Sequence, residues 1–241
     1  MTRVRKRWFR WGRASFFIIL YGALLTFALS VNKAEEEAIE SVEVDYRSHG
    51  GTYHVEVPEA MAHVVIYPGA LVEPEAYLPL AEKIADHGFN VHIPRMPFHF
   101  SILDANAAEK LDLDDGLPVF IGGHSLGGVA ASSHVEENPG KYSGLFLLAS
   151  YPQRGVDLSG WDQPVLSLKA SNDDIIDLIA YEETAEQLPD HTVFHEIHGA
   201  NHANFGSYGN QRHDGMAGIS EETQQTITAE KIVAMMMENL E

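Results

Sequence analysis

Six short apolar runs, each followed by a helix-like or glycine-rich stretch, constrain this chain more than any other feature. They are "HVVIY" (63–67), "FNVHIP" (89–94), "PVFIG" (118–122), "GLFLLAS" (144–150), "PVLSLKA" (164–170) and "TVFHEIH" (192–198). Runs that are apolar on both faces of a strand are buried on both faces, and that is the condition of a parallel sheet covered by helices. The intervening stretches supply the helices. "EPEAYLPLAEKIADHG" spaces Ala76, Leu80, Ile84 and Ala85 along one helical face and stops at Gly88. Further helices are expected at about 104–112, 127–138, 177–188 and 220–238. Upstream, "SVEVDY" and "TYHVEV" alternate apolar and polar residues around Ser48-His49-Gly50-Gly51, the pattern of an antiparallel hairpin. The expected fold is α/β: three layers, a mostly parallel sheet with helices on both faces, and an N-terminal hairpin. A single domain over 41–241 is the economical reading.

The first 40 residues read differently. Arg3, Arg5, Lys6, Arg7, Arg10 and Arg13 make residues 1–13 a basic segment without acidic residues. Residues 14–31, "ASFFIILYGALLTFALSV", carry no charge. At 1.5 Å rise per residue such a helix spans about 27 Å, enough to cross a bilayer core. Trp8 and Trp11 stand where an interfacial belt belongs, and the arginines favour the cytoplasmic side. The expectation is a single-pass signal anchor with the remainder extracytoplasmic. The alternative is a signal peptide cut after Ala28-Leu29-Ser30, which would release a secreted protein. Residues 32–40, "NKAEEEAIE", read as an acidic, solvated spacer.

Charge and composition exclude several functions. Setting aside the six N-terminal cations, the formal net of −19 becomes −25 on the body of the chain. A body so acidic repels nucleic acid, so nucleic-acid partners are not expected. There is no cysteine, hence neither a disulfide framework nor a thiol nucleophile. His195 and His198 lie three apart in an expected strand and face opposite sides, an arrangement unsuited to one metal ion.

The chemistry concentrates at "PVFIGGHSLGGVAASSH", residues 118–134. An apolar strand runs into a Gly-x-Ser-x-Gly turn, and a helix of small residues follows. Ser125 therefore stands at the carboxyl end of a parallel strand, where open α/β sheets place ligands. Gly123 and Gly127 let backbone approach closely on either side. A serine hydroxyl is a poor nucleophile without a base, and the base needs an acid to orient it. "SNDDII" after one later strand offers Asp173 and Asp174, with Asp177 beyond them. "GANHANFG" after the next strand offers His202. The order Ser, Asp, His across successive strand ends suits nucleophilic acyl chemistry.

On "YPGALVEPEAYLPLAEKIADHGFNVHIPRMP", "GGHSLGG", "SNDD" and "HGANHANFGSYGNQ", the chain from about Ser41 onward resembles the α/β-hydrolase superfamily. Within it the resemblance is to the small lidless group called α/β hydrolase fold-5, with dienelactone hydrolases and carboxylesterases as looser relatives. That resemblance implies Ser125 as nucleophile, His202 as base and Asp173 as acid, although Asp174 stands where the family usually has glycine. It also implies an oxyanion hole from the backbone N–H groups of Leu126 and Ala70, with Leu71 an alternative to Ala70. No cofactor is called for. Tyr208, Gln211 and Asp214 are expected to order the loop that carries His202. "MMMENL" near the end reads as a core-facing helix.

Only about 13 residues separate "GLFLLAS" from "PVLSLKA", too few for a helical cap. The site is expected to be open, with Tyr151, Arg154 and Trp161 as candidate wall residues. The expected activity is cleavage of an ester-type bond in a small or surface-presented substrate. Acyl transfer, amide or lactone hydrolysis, and a non-catalytic binding module are the alternatives. Neither the natural substrate nor the oligomeric state is legible.

Overall fold

The computed structural model describes residues 29–240. The expected basic segment and most of the expected anchor, residues 1–28, lie outside it. Among the described residues, no helix is long and apolar enough to cross a membrane.

Eight strands form one sheet in the order β1-β2-β4-β3-β5-β6-β7-β8. They are β1 (Tyr46–His49), β2 (Thr52–Val55), β3 (His63–Tyr67), β4 (Asn90–Ile93), β5 (Val119–His124), β6 (Gly144–Leu148), β7 (Val165–Ala170) and β8 (Val193–Ile197). The β1–β2 and β2–β4 pairs are antiparallel, and every other pair is parallel. Within residues 32–240, five α-helices accompany them: α1 (Glu36–Glu40), α2 (Leu78–Ala85), α3 (Leu126–Glu137), α4 (Leu178–Thr184) and α5 (Glu221–Met237).

The two-residue period of the strands divides the core into two layers. Val64 and Ile66 of β3, Phe120 of β5, Phe146 and Leu148 of β6 and Leu168 of β7 join α2 and α5 on one face. Val65, Tyr67, Ile121, Leu145, Leu147 and Val165 join α3 on the other. All these strand residues are buried, as apolar runs without alternation require. In α5, Met235 and Met236 enter the core whereas Met237 is exposed. Residues 149–164, between β6 and β7, contain turns and no helix, so no cap is inserted there.

Three expectations need correction. The hairpin turns at Gly50 and Gly51, both at positive φ, but its first strand begins only at Tyr46. The residues before it are drawn to α2 instead, where Glu82 Oε1 accepts from both Glu43 N and Val44 N. The helix expected at 104–112 reduces to a 3-10 turn at Ala107–Lys110. Tyr67 is the reason: its hydroxyl donates to Ala105 O (2.7 Å) and accepts from Ala108 N (2.9 Å), taking backbone groups an α-helix would use. Residues 32–40, half-buried or exposed throughout, are tethered to the domain: Asn32 N donates to Leu71 O and Glu35 N to Ser207 O, while Ala34 and Ile39 pack on the core. Trp161 is not a wall residue; it is 8% exposed, packs beneath the sheet and donates through Nε1 to Pro139 O.

Candidate active site

β5 ends at His124, and the turn after it strains the backbone. Ser125 adopts φ 52°, ψ −124°, a region that L-residues seldom enter and that costs about 1–3 kcal/mol. Its neighbours hold it there. Ser125 N donates to Leu148 O (2.9 Å), and Ser125 O accepts from Gly128 N and from Ser150 Oγ. No side chain fits at either of the two motif glycines, Gly123 and Gly127. A Cβ on Gly123 would lie 2.7 Å from Tyr67 O, and one on Gly127 only 2.1 Å from the same atom. The two glycines of the motif thus allow α3 to start directly against β3.

Asp173 and His202 follow β7 and β8 at the same sheet edge. His202 Nδ1 lies 2.7 Å from Asp173 Oδ2. The other carboxylate oxygen, Oδ1, accepts from Ile175 N (2.8 Å) and Ile176 N (2.9 Å), which fixes its orientation. Asp173 is buried, whereas Asp174 is exposed. Asp177 is engaged as the N-cap of α4, accepting from Ile179 N and Ala180 N. Of the three carboxylates, Asp173 alone meets His202.

The His202 loop is tied from both sides. Asp214 Oδ2 accepts from Ala203 N (2.8 Å), and Tyr208 donates to Gln211 Oε1. From α5, the fully buried Gln224 accepts from Asn201 N (3.1 Å) and donates to Asn201 O (2.8 Å). The sequence reading missed Gln224, because a glutamine inside an amphipathic helix carries no local signal of its partner.

Ser125 comes to this pair through its neighbour. The His124 ring centroid is 4.6 Å from that of His202. Among the described residues no hydrogen bond joins the Ser125 hydroxyl to His202. Such bonds are often loose before substrate binds.

The loop after β3 supplies donors. Pro68 O accepts from Ser101 Oγ, Gly69 N donates to Tyr77 OH, and Leu71 N donates to His99 O (2.7 Å). Ala70 N has no acceptor among the described residues, and neither does Leu126 N at the first turn of α3. Arg154 points to solvent, paired with Glu183, and Tyr151 is half-buried. Among the described residues no cluster of His, Cys, Asp or Glu is arranged to hold a metal ion.

Residues 63–226 match the family model described as Abhydrolase_5, alpha/beta hydrolase family. The chain belongs to this family. Solved structures with the same α/β-hydrolase fold include a dienelactone hydrolase from Anabaena variabilis, at 17% identity and TM-score 0.57, covering 82% of this chain and 97% of that one. Est1E from Butyrivibrio proteoclasticus is 14% identical with TM-score 0.58, covering 81% of this chain and 98% of that one. The esterase domain of a Rhodothermus marinus protein is 13% identical with TM-score 0.58, covering 79% and 93%. No curated protein matches the chain at a significant level. As an α/β hydrolase, the chain places its strained serine and its Asp-His pair on the carboxyl edge of the sheet.

Proposed function

We propose that this α/β hydrolase is a serine hydrolase acting on an ester-type carbonyl. The observation that carries the reading is the Asp173–His202 hydrogen bond of 2.7 Å, formed at the same sheet edge as a serine held at positive φ. Asp173 would orient His202 by accepting from Nδ1–H, which leaves Nε2 as the base. Nε2 would take the Ser125 proton as Oγ attacks the carbonyl carbon. The carbonyl electron pair would move to oxygen, stabilised by the N–H groups of Leu126 and Ala70. Collapse would expel the alcohol, protonated by His202, and leave an acyl-serine. Water, deprotonated by His202, would then release the acid and restore the hydroxyl. No step calls for a cofactor.

The absence of a cap in residues 149–164 supports a small or surface-presented ester rather than a long enclosed acyl chain. The test is labelling of the full-length chain with a fluorophosphonate probe. Wild type is expected to label and Ser125→Ala not to; equal labelling of both would overturn the reading.

The N-terminal sequence supports a location outside the cytoplasm. Residues 14–31 would anchor the chain, with the basic segment on the cytoplasmic side. Alkaline extraction of membranes leaves an anchored chain in the pellet. Recovery of a soluble chain beginning at Val31 would show cleavage after Ser30 instead.

A further inference from the structure

Two backbone donors on different elements stabilise one oxyanion only if something fixes their separation. β3 and β5 pair in register as far as Tyr67 and Gly123. Beyond that point the chains part, one into Pro68-Gly69-Ala70 and the other into His124-Ser125-Leu126. Among the described residues, no backbone hydrogen bond crosses between these two turns.

A side chain crosses instead. Tyr77 ends the 3-10 turn Pro74–Tyr77 that precedes α2, and it is completely buried. Its hydroxyl accepts from Gly69 N (2.9 Å) and lies 2.8 Å from His124 Nδ1. Among the described residues the phenol hydrogen has no acceptor other than Nδ1, so with Gly69 donating to the oxygen that hydrogen goes to Nδ1. Nδ1 is then bare, and the His124 proton sits on Nε2. The fit has no slack: a Cβ on Gly69 would stand 3.0 Å from Nδ1 and 3.3 Å from the Tyr77 oxygen. Phenylalanine would fill the same apolar volume, so packing alone does not call for the hydroxyl.

We infer that Tyr77 is a positioning residue for the oxyanion hole, its hydroxyl bolting the Ala70-bearing loop to the turn that carries Ser125 and Leu126. This rests on the serine-hydrolase reading above. The bolt has an electrostatic side. Burial holds His124 neutral, and the neighbouring His202 pushes in the same direction. Among the described residues His124 Nε2 has no hydrogen-bond partner, and the nearby His202 backbone opposes the shift only in part. A neutral His124 keeps a second cation away from His202 at the moment it takes up the serine proton.

The experiment compares full-length wild type with Tyr77→Phe, His124→Leu and His124→Asn. Three readouts are used: hydrolysis of p-nitrophenyl acetate, inhibition by a boronic acid that forms a tetrahedral adduct on serine, and fluorophosphonate labelling. Tyr77→Phe and His124→Leu are expected to lower kcat by about 10- to 100-fold with KM changed less than about threefold, and boronic acid affinity should fall in parallel. In His124→Asn the amide oxygen takes the place of Nδ1 and accepts the hydroxyl, so most of the rate should return. If both disrupting variants stay within about twofold of a wild type that labels at Ser125, Tyr77 only packs and the inference falls. It also falls if KM and melting temperature suffer while kcat does not, or if His124→Asn is no better than His124→Leu. Should Tyr77→Phe fail to fold, the two His124 variants decide by the same comparison. A wild type inert to both ester and fluorophosphonate overturns the hydrolase reading, and this inference with it.

Discussion

His202 Nδ1 and Asp173 Oδ2 stand 2.7 Å apart with their side chains 2% and 0% exposed. A charged carboxylate so enclosed is stable only when its remaining lone pairs are filled, and Ile175 N and Ile176 N fill them. The arrangement suits an imidazole that gains positive charge during a reaction. Asp173→Asn should therefore cost about 10³–10⁴-fold in kcat, because the amide supports the wrong imidazole tautomer. Asp174→Asn, at an exposed carboxylate, should stay within about twofold. Steady-state ester hydrolysis by the two variants checks this, and comparable losses would count against Asp173 as the orienting acid.

Strain at Ser125 separates function from stability. Glycine accepts positive φ without the steric cost that alanine retains. Both Ser125→Gly and Ser125→Ala remove the hydroxyl and should be inactive. Ser125→Gly should be the more stable of the two by about 1 kcal/mol, despite its larger backbone entropy in the unfolded state. That corresponds to roughly 2–4 °C in melting temperature. A thermal melt of the pair decides, and a less stable glycine variant would show that the turn stores no strain.

Gln224 contributes through the His202 loop. Both of its amide groups are spent on the Asn201 backbone, one residue before the imidazole. Gln224→Leu leaves a buried N–H and a buried carbonyl unpaired, which costs about 2–4 kcal/mol. Urea unfolding should show the lower midpoint, and ester hydrolysis should slow at temperatures where the variant is still folded. An unchanged midpoint would mean that water replaces the side chain.

Acid should weaken the fold through its buried histidines. His54 Nδ1 and His92 Nδ1 are 2.9 Å apart, His92 Nε2 and His63 Nδ1 are 2.9 Å apart, and His63 Nε2 meets the Asp115 carboxylate at 3.1 Å. Burial first, then the neighbouring His63 and His54, push the His92 imidazole down to about 3. An unfolded histidine titrates near 6.5. Between those values the unfolded chain holds the extra proton, so stability rises with pH. The contribution of His92 is fully present above about pH 6.5 and is lost progressively as pH falls toward 3. His124, likewise held neutral by burial, adds in the same direction. Denaturant midpoints from pH 4.5 to 7.5 should climb, and His92→Gln should flatten the slope by up to about 1.4 kcal/mol per pH unit. Parallel slopes in the two proteins would contradict this.

The parallel sheet, the serine turn and the order in which an acid and a histidine appear are all legible in the residues alone. These are local features: a strand's burial shows in a run such as "GLFLLAS", and close backbone approach shows in Gly123 and Gly127. Which carboxylate meets His202 depends on the packed chain, since Asp173, Asp174 and Asp177 differ in burial and in the amide N–H groups that donate to them, not in local pattern. The same holds for the loop after β3, where Leu71 N is spent on His99 O and Ala70 N is not. Tyr67 overrode helical spacing at 104–112 by taking backbone groups 38 and 41 residues away. Tyr77 reaches His124 across 47 residues. Hydrogen-bond partners so distant in the chain leave no trace in periodicity, because which donors are already taken is settled only when the strands are side by side.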